Sequence, residues 1–310
     1  MSRLIFIPQC PVKLRYQEWW YTEFIKNLKP YFSEILTLGD TQTYSSPTKG
    51  EFSVHTAAIH YETLQIQQYL QLTLQEDDCL LLNDLSYPGL FANVLFHKRP
   101  KRCVAICHAT SKNRYDYFAK DRKTKFPIET ATAKLFDKII VGSKYHAQKL
   151  GWDNTKIILL PDPPFLGYIG GVKNKDIVSV ARPGLQKVNK KLEKLVEKRF
   201  GTIKRPEANT WDEYYQFLAD SKILLITSKE ETYGYQVIDG IINGCVVLAP
   251  RACSYPELLP DKYLYNDWYE LMSMINDVTN DLLRPLPLDY HEKHKLNFYK
   301  ILANALKNDA

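Results

Sequence analysis

Short apolar runs alternate with helical segments along the first half of the chain, and this alternation limits its fold more than any other feature. The predicted strands have apolar interiors and cover residues Arg3–Ile7, Glu34–Leu38, Cys79–Leu82, Cys103–His108, Lys138–Val141 and Lys156–Leu160. Helices are predicted between them at Tyr16–Leu28, Leu64–Leu74, Gly89–Phe96 and Ile128–Phe136. Apolar strands separated by helices are typical of a parallel sheet that is covered on both faces.

Proline and glycine interrupt this pattern near the middle of the chain, where Pro161-Asp162-Pro163-Pro164 precedes Gly167, Gly170 and Gly171. A second series follows, with strands predicted at Asp176–Ala181, Ile223–Thr227, Cys245–Ala249 and Tyr263–Tyr265, and helices at Lys187–Arg199, Trp211–Ala219 and Gln236–Ile242. The sequence therefore predicts two Rossmann-like α/β domains, residues 1–165 and 166–310, each of the usual size of about 150 residues. An amphipathic helix over His291–Leu306 is expected to pack back on the first domain.

The composition is that of a globular protein, with 45% hydrophobic and 25% charged residues. No apolar run approaches the ~20 residues that span a bilayer, and the first apolar run is too short for a signal peptide. We therefore expect a cytoplasmic protein without a transmembrane segment. Its six cysteines are scattered, which favours buried free thiols in a reducing compartment.

The net charge of +6 is concentrated in two clusters of basic residues. The first cluster comprises His97, Lys98, Arg99, Lys101, Arg102, Lys112, Arg114, Lys120, Arg122, Lys123 and Lys125, with Tyr115, Tyr117 and Phe118 among them. The second cluster comprises Lys187, Lys190, Lys191, Lys194, Lys198, Arg199, Lys204 and Arg205. Such clusters either attract polyanions and anionic membranes or are solvated helix faces. For the first cluster, with its interleaved aromatic residues, both interpretations stay open.

The segment from Ser228 to Leu259 carries the most informative polar residues. A strand is predicted to end just before it, and a polar loop with Glu231 and Gly234 then leads into a helix. The start of a helix offers free backbone N–H groups and the positive end of a dipole to an anion. Asp239 falls early in this helix and is expected to face the same cleft, because open α/β sheets bind ligands at the carboxyl ends of their strands.

This segment resembles the donor-binding signature of the retaining glycosyltransferases of the GT-B fold, of the large family-four type (glycosyl transferases group 1). Glu231 and Asp239 match the eight-residue offset of the family's acid pair. Gly234 and Gly244 match two of its glycines, and Pro256-Glu257 matches its closing pair. The resemblance implies an α/β fold with two Rossmann-like, doubly wound domains that face a cleft.

The resemblance also implies roles for individual residues. Glu231 and the turn Thr232-Tyr233-Gly234-Tyr235 would bind the transferred sugar, and Asp239 would bind the ribose hydroxyls. Arg182 and Lys187, five residues apart after a predicted strand, resemble the two cations that hold the donor diphosphate. Fixed cations stabilise the negative charge that grows on the leaving phosphate, so no metal ion is expected. His108 resembles a histidine of the first domain that lies near the donor sugar.

Several positions depart from the family's pattern. Asp239 replaces a glutamate, Thr232 a glycine and Val246 a proline, and Cys253-Ser254 replaces a glycine pair. Only 49 positions separate Arg182 from Glu231, and the family normally has more β/α units there. The second sheet is therefore expected to be smaller than is usual in the family, that is, trimmed.

The resulting prediction is a retaining hexosyltransferase that uses a nucleotide-sugar donor, with a UDP-sugar favoured, and needs no other cofactor. Its acceptor is expected to be a surface glycan or a lipid-linked sugar. One alternative is a phage-type enzyme that glucosylates hydroxymethylated DNA, bound through the basic N-terminal region. Another is an inactive GT-B relative that only binds DNA or a partner protein.

Overall fold

A computed structural model describes residues 2–40, 56–85, 91–115, 119, 121–160, 170–181 and 188–307. The chain divides into two compact units. The first unit contains Met1–Gly142, Ala147–Pro161 and Asn297–Ala310, and the second contains Ser143–His146 and Asp162–Leu296. Arg182 and Lys187, two of the predicted site residues, lie outside the described residues.

The first unit is built on a parallel sheet, which has six strands among the described residues, in the order β2-β1-β3-β4-β5-β6. These strands are β1 (Arg3–Ile7), β2 (Glu34–Thr37), β3 (Cys79–Leu82), β4 (Arg102–Ile106), β5 (Lys138–Val141) and β6 (Ile157–Leu159). The helices that connect them are α1 (Tyr16–Leu28), α2 (Thr56–Gln71), α3 (Phe91–His97), α4 (Arg122–Ala133) and α5 (Lys144–Leu150). All residues of β3 and β4 are buried. This burial explains why their sequences are apolar apart from Arg102, because a central parallel strand is covered on both faces.

The second unit is built on a smaller parallel sheet with four strands among the described residues, in the order β10-β9-β8-β7. The strands are β7 (Lys175–Val178), β8 (Ser221–Leu225), β9 (Val246–Pro250) and β10 (Leu264–Tyr265). The helices are α6 (Lys190–Phe200), α7 (Trp211–Ala219), α8 (Tyr235–Ile242), α9 (Tyr255–Leu258) and α10 (Trp268–Thr279). The predicted pair of Rossmann-like α/β domains, with a smaller second sheet, is confirmed.

The last helix, α11 (Glu292–Lys307), contributes apolar side chains to the core of the first unit. The ring of Phe298 is fully buried and lies 5.9 Å from the ring of Phe24 in α1. The buried Arg102 in β4 donates a hydrogen bond from Nε to the carbonyl oxygen of Ala305 at 3.1 Å. Among the described residues, no helix combines the length and the apolar character that crossing a bilayer requires.

Several predicted boundaries were wrong. Helix α4 begins at Arg122, six residues before the predicted start at Ile128, and Pro127 lies inside it. Proline is usual at the first turn of a helix and rare in its interior, so its position was misleading. Strand β4 ends at Ile106, which leaves His108 in the following loop. Helix α10 was not predicted at all.

Candidate functional site

The loop that follows β8 contains four of the nine predicted site residues, Glu231 to Gly234, and leads directly into α8. Gly234 is the last residue before this helix and has a φ of 117°. A Cβ atom at this position would lie 2.9 Å from Cδ1 of Leu258. The backbone conformation and the close packing therefore both require glycine here.

Neighbouring segments of the second unit hold this loop by hydrogen bonds to its backbone. The Ser254 hydroxyl donates to the carbonyl oxygen of Tyr233 at 2.5 Å. The Ser143 hydroxyl donates to the carbonyl oxygen of Thr232. The rings of Tyr233 and Tyr235 are buried and pack edge to face at 5.2 Å. These contacts fix the course of the turn, so that its geometry exists before any ligand binds.

Glu231 is half-buried at the start of this turn. Its Oε1 accepts a hydrogen bond from the backbone N–H of Thr232 at 3.0 Å. The pKa of Tyr255 lies well above its ordinary value, mainly because the phenol is buried and also because Glu231 is negatively charged nearby. Glu231 thus lies near Tyr255, whose hydroxyl accepts a hydrogen bond from Gln236 Nε2 at 3.2 Å.

Asp239 lies in α8 with its side chain fully buried. Its Oδ2 accepts a hydrogen bond from the hydroxyl of Tyr214 in α7 at 3.0 Å. Burial and the charge of Asp239 raise the pKa of Tyr214 well above its ordinary value. Asp239 therefore links α8 to α7, and a ribose hydroxyl would reach this carboxylate only after a local rearrangement. Its contact with ribose stays a prediction.

His108 belongs to the first unit, two residues beyond the end of β4. Its ring stacks on the buried ring of Trp20 in α1, with centroids 4.0 Å apart and an interplanar angle of 12°. Trp20 therefore fixes the plane of the imidazole. The role of His108 near the transferred sugar stays a prediction.

The sequence did not indicate three tyrosine and serine side chains that support the predicted site. The Tyr214 hydroxyl donates a hydrogen bond to Asp239, which lies 25 positions further along the chain. Tyr255 and Ser254 contact the turn from a segment about 20 positions further along the chain. Tyr255 directly precedes the recognised Pro256-Glu257 pair, and this position is the sequence signal that points to it.

Many cations of the first basic cluster have partners within the first unit. Lys98 donates to the carbonyl oxygens of Leu70 and Leu72 near the end of α2. The other engaged cations are Arg99 with Asp137 at 2.8 Å, Lys101 with Asp77 at 2.9 Å, and Lys112 with the carbonyl oxygen of Leu150 at 2.9 Å. Arg122 and Lys123 are exposed, whereas Tyr117, Phe118 and Lys120 lie outside the described residues. Lys98, Arg99, Lys101 and Lys112 are therefore engaged in contacts within the first unit.

The second basic cluster has a different character. The lysines of α6, namely Lys190, Lys191, Lys194 and Lys198, are exposed. Arg205, by contrast, is paired with Glu193 at 2.9 Å.

The described residues contain no group of three or more His, Cys, Asp or Glu side chains that could hold a metal ion.

No protein-family model matches the sequence. Solved structures of similar fold do match over almost the whole chain. HepE of Anabaena, in complex with UDP and glucose, has a TM-score of 0.64 and 14% identity, with 99% of this chain and 96% of that chain covered. Sucrose-phosphate synthase of Thermosynechococcus elongatus has a TM-score of 0.60 and 12% identity, covering 99% and 95%. Both are GT-B structures. The chain has the GT-B fold.

The glycosyltransferase WaaG, which is involved in lipopolysaccharide biosynthesis, also has this fold, with a TM-score of 0.57 and 12% identity over 99% of this chain and 100% of that one. The predicted fold is confirmed by these comparisons. In the GT-B fold of this chain, the Glu231–Tyr235 turn occupies the carboxyl end of a central strand of the second sheet, since β8 lies between β7 and β9.

Proposed function

We propose that this protein is a retaining glycosyltransferase that moves a hexose from a UDP-sugar to an acceptor hydroxyl. The observation that carries the proposal is the Glu231–Tyr235 turn at the carboxyl end of β8 in a chain with the GT-B fold. Ligands of open α/β sheets bind at such strand ends. HepE, which shares the fold, has been solved with UDP and glucose and with UDP-glucose.

The proposed donor site divides the ligand between several elements of the second unit. Glu231 and the turn Thr232-Tyr233-Gly234-Tyr235 hold the hydroxyls of the transferred sugar. Arg182 and Lys187 hold the diphosphate. Asp239 holds the ribose hydroxyls. The Tyr214 hydroxyl donates to Oδ2 of Asp239, so a ribose hydroxyl that binds this oxygen has to displace it.

In the proposed reaction the acceptor hydroxyl attacks the anomeric carbon from the face that the phosphate leaves. The bond between the anomeric carbon and the phosphate oxygen breaks, and its electron pair stays on the phosphate. The acceptor oxygen forms the new bond and releases its proton to the leaving phosphate. Arg182 and Lys187 stabilise the charge that grows there, which makes a metal ion unnecessary.

We propose a surface glycan or a lipid-linked sugar as the acceptor. Recognition of DNA relies on cations that are free to contact phosphates. In the first basic cluster, Lys98, Arg99 and Lys101 are engaged within the protein, which weakens the case for DNA. WaaG, with the same fold, acts in lipopolysaccharide biosynthesis.

The test is a panel of UDP- and GDP-sugars with three acceptors: a bacterial lipid and glycan extract, plain DNA and hydroxymethylated DNA. The proposal expects release of UDP and transfer of a hexose to the extract, with the α-anomer formed from an α-linked donor, as read by NMR. Transfer to hydroxymethylated DNA alone would establish the alternative acceptor. Absence of nucleotide release from every donor would leave the inactive binding protein as the correct description.

A further inference from the structure

Helix α6 in the second unit has a side on which positive charge is concentrated. Four of its residues have the i, i+3, i+4, i+7 spacing that places side chains on one side of a helix, and all four are exposed: Lys191, Lys194, Leu195 and Lys198. Lys190 and Arg199 are exposed as well and lie on the two flanks of this side. We call these six residues the lysine face.

The opposite side of α6 is anchored in the second unit. Val196 is fully buried. Glu193 is also buried, and it accepts hydrogen bonds from Arg205 Nη2 at 2.9 Å and from the hydroxyl of Thr227 at 3.0 Å. The helix cannot rotate about its axis without breaking these contacts, so the lysine face is held toward the solvent.

The charge of the lysine face is not balanced by neighbouring carboxylates. In the part of the chain that the structure describes, none of its five cations forms an ion pair. Of the two acidic residues of α6, Glu193 is directed into the protein, and only Glu197 is exposed. The surface therefore presents five positive charges against one negative charge of the same helix.

This arrangement works against the stability of the helix itself. Lys194 has a like charge four positions away on either side, at Lys190 and Lys198, and such pairs repel each other. Lys190 and Lys191 also lie in the first turn, where the helix dipole disfavours cations. A face that is only solvated is typically laced with pairs of opposite charge. The unbalanced charge favours a surface that meets a polyanion.

The side chains of the lysine face favour an anionic lipid surface over a nucleic acid. Nucleic-acid sites typically combine arginine forks with aromatic stacking. The lysine face has four lysines, a single arginine and no aromatic residue. Leu195 is 45% exposed among these lysines. An apolar side chain in such a place can enter the boundary between lipid headgroups and acyl chains.

We infer that the lysine face of α6 binds the headgroups of an anionic bilayer, with Leu195 inserted among them. Clusters of about four to eight lysines and arginines on a helix are typical of binding to anionic lipids. This inference goes beyond the proposed function and does not rest on it, because the binding needs no sugar donor.

The lysine face begins close to the end of a central strand of the second sheet. Asn189, the residue before α6, donates a hydrogen bond from its backbone N–H to the carbonyl oxygen of Thr227 at 3.0 Å, and Val188 forms an antiparallel bridge with Ser228. Thr227 and Ser228 belong to the segment that follows β8. Binding through the lysine face would therefore bring this end of the second sheet toward the lipid surface.

The test is cosedimentation of the full chain with vesicles made of equal parts of phosphatidylglycerol and phosphatidylcholine. We expect the wild type to bind them, to bind vesicles of phosphatidylcholine alone far more weakly, and to be released by about 1 M salt, where the screening length shortens to about 3 Å. In K191Q/K194Q/K198Q, binding should weaken roughly a hundredfold, because each cation near an anionic surface contributes about fivefold.

The matched control is K13Q/K26Q/K29Q, which removes three exposed lysines of the first unit and lowers the net charge by the same amount. It should bind the anionic vesicles as the wild type does. The melting temperature of K191Q/K194Q/K198Q should be no lower than that of the wild type, because the substitutions relieve repulsion within α6. A clearly lower melting temperature would show that the fold uses these lysines and would overturn the inference.

The variant L195S gives a second measurement, since it keeps every charge of the lysine face. It should retain the fold, because Leu195 is 45% exposed, and should bind the anionic vesicles several-fold more weakly than the wild type. Equal vesicle binding by K191Q/K194Q/K198Q and the wild type would overturn the inference. So would binding of duplex DNA, lost in K191Q/K194Q/K198Q, by a wild type that does not bind the vesicles. No outcome depends on nucleotide release, so a failure of the proposed function remains distinguishable.

Discussion

Gly234 has a backbone conformation that residues with a side chain rarely adopt, and it directly precedes the first turn of α8. The neighbouring Thr232 stands where a glycine is usual in the family that this segment resembles. Thr232 is not among the described residues with a positive φ, so its backbone accommodates a side chain without strain. Of the two turn positions, Gly234 is therefore the one that the fold depends on.

Replacement of Gly234 by alanine should both destabilise the protein and weaken donor binding. The new Cβ would meet Leu258 at 2.9 Å in addition to the strain of a φ of 117°. We expect a loss of about 1–3 kcal/mol in the free energy of unfolding, measured with urea. G201A is the control, since Gly201 has a φ of 91° with no atom within 4 Å of the added Cβ. Equal losses in the two variants would contradict the packing argument.

The cysteines differ sharply in their accessibility. Cys253 is half-exposed and the other five are buried. Burial raises the pKa of Cys10 and of Cys103 to about 12 and that of Cys245 to about 11. A thiol with a pKa of 12 is a thiolate in only about one molecule in ten thousand at pH 8, and the thiolate is the reactive form.

Titration of the native protein with a disulfide reagent at pH 8 should therefore modify one thiol rapidly. The fast phase should disappear in C253S, and all six thiols should react after unfolding in urea. Two or more fast equivalents in the native protein would contradict the described burial.

At the residue scale, spacing along the sequence predicted Glu231, Gly234 and Asp239 as site residues, because a turn followed by a helix keeps such residues close together in the chain. Spacing could not identify the bond between Tyr214 and Asp239, since it depends on how α7 packs against α8. Nor could it show that Lys98 and Arg99 would be used by the fold, because their partners lie 26 to 38 positions away.

At the scale of elements, the strands were the easiest to predict. β1, β3 and β5 have the predicted bounds, because each is an apolar run that packs on both faces of a parallel sheet. Helices were harder. The first turn of α4 is polar and exposed, so it has no apolar periodicity to reveal it. The pattern of buried residues in α10, at Leu271, Ile275 and Val278, was overlooked.

Helix α11 should contribute strongly to the stability of the first unit. Phe298 is fully buried and contacts Phe24, so F298A removes a large core side chain and leaves a cavity. We expect a loss of about 3–5 kcal/mol in the free energy of unfolding. I301A on the same helix is the control, because Ile301 is 39% exposed and should cost far less. Similar losses for both variants would show that α11 is not packed as described.

At the scale of the whole molecule, the fold and the proposed chemistry have different support. The GT-B fold follows from the two parallel sheets and from similarity to solved structures over 99% of the chain. The chemistry rests on the turn at Glu231 and on the two cations at 182 and 187. The acceptor could not be predicted from charge alone, because some of the basic residues that suggested DNA, namely Lys98, Arg99 and Lys101, make internal contacts.

The measurement that tests the central claim most directly is steady-state UDP release from a saturating UDP-sugar by the wild type, R182A and K187A, with donor binding measured in parallel by calorimetry. If these cations stabilise the leaving phosphate, kcat should fall about a hundredfold or more while donor affinity changes much less. An unchanged kcat in both variants would contradict the account.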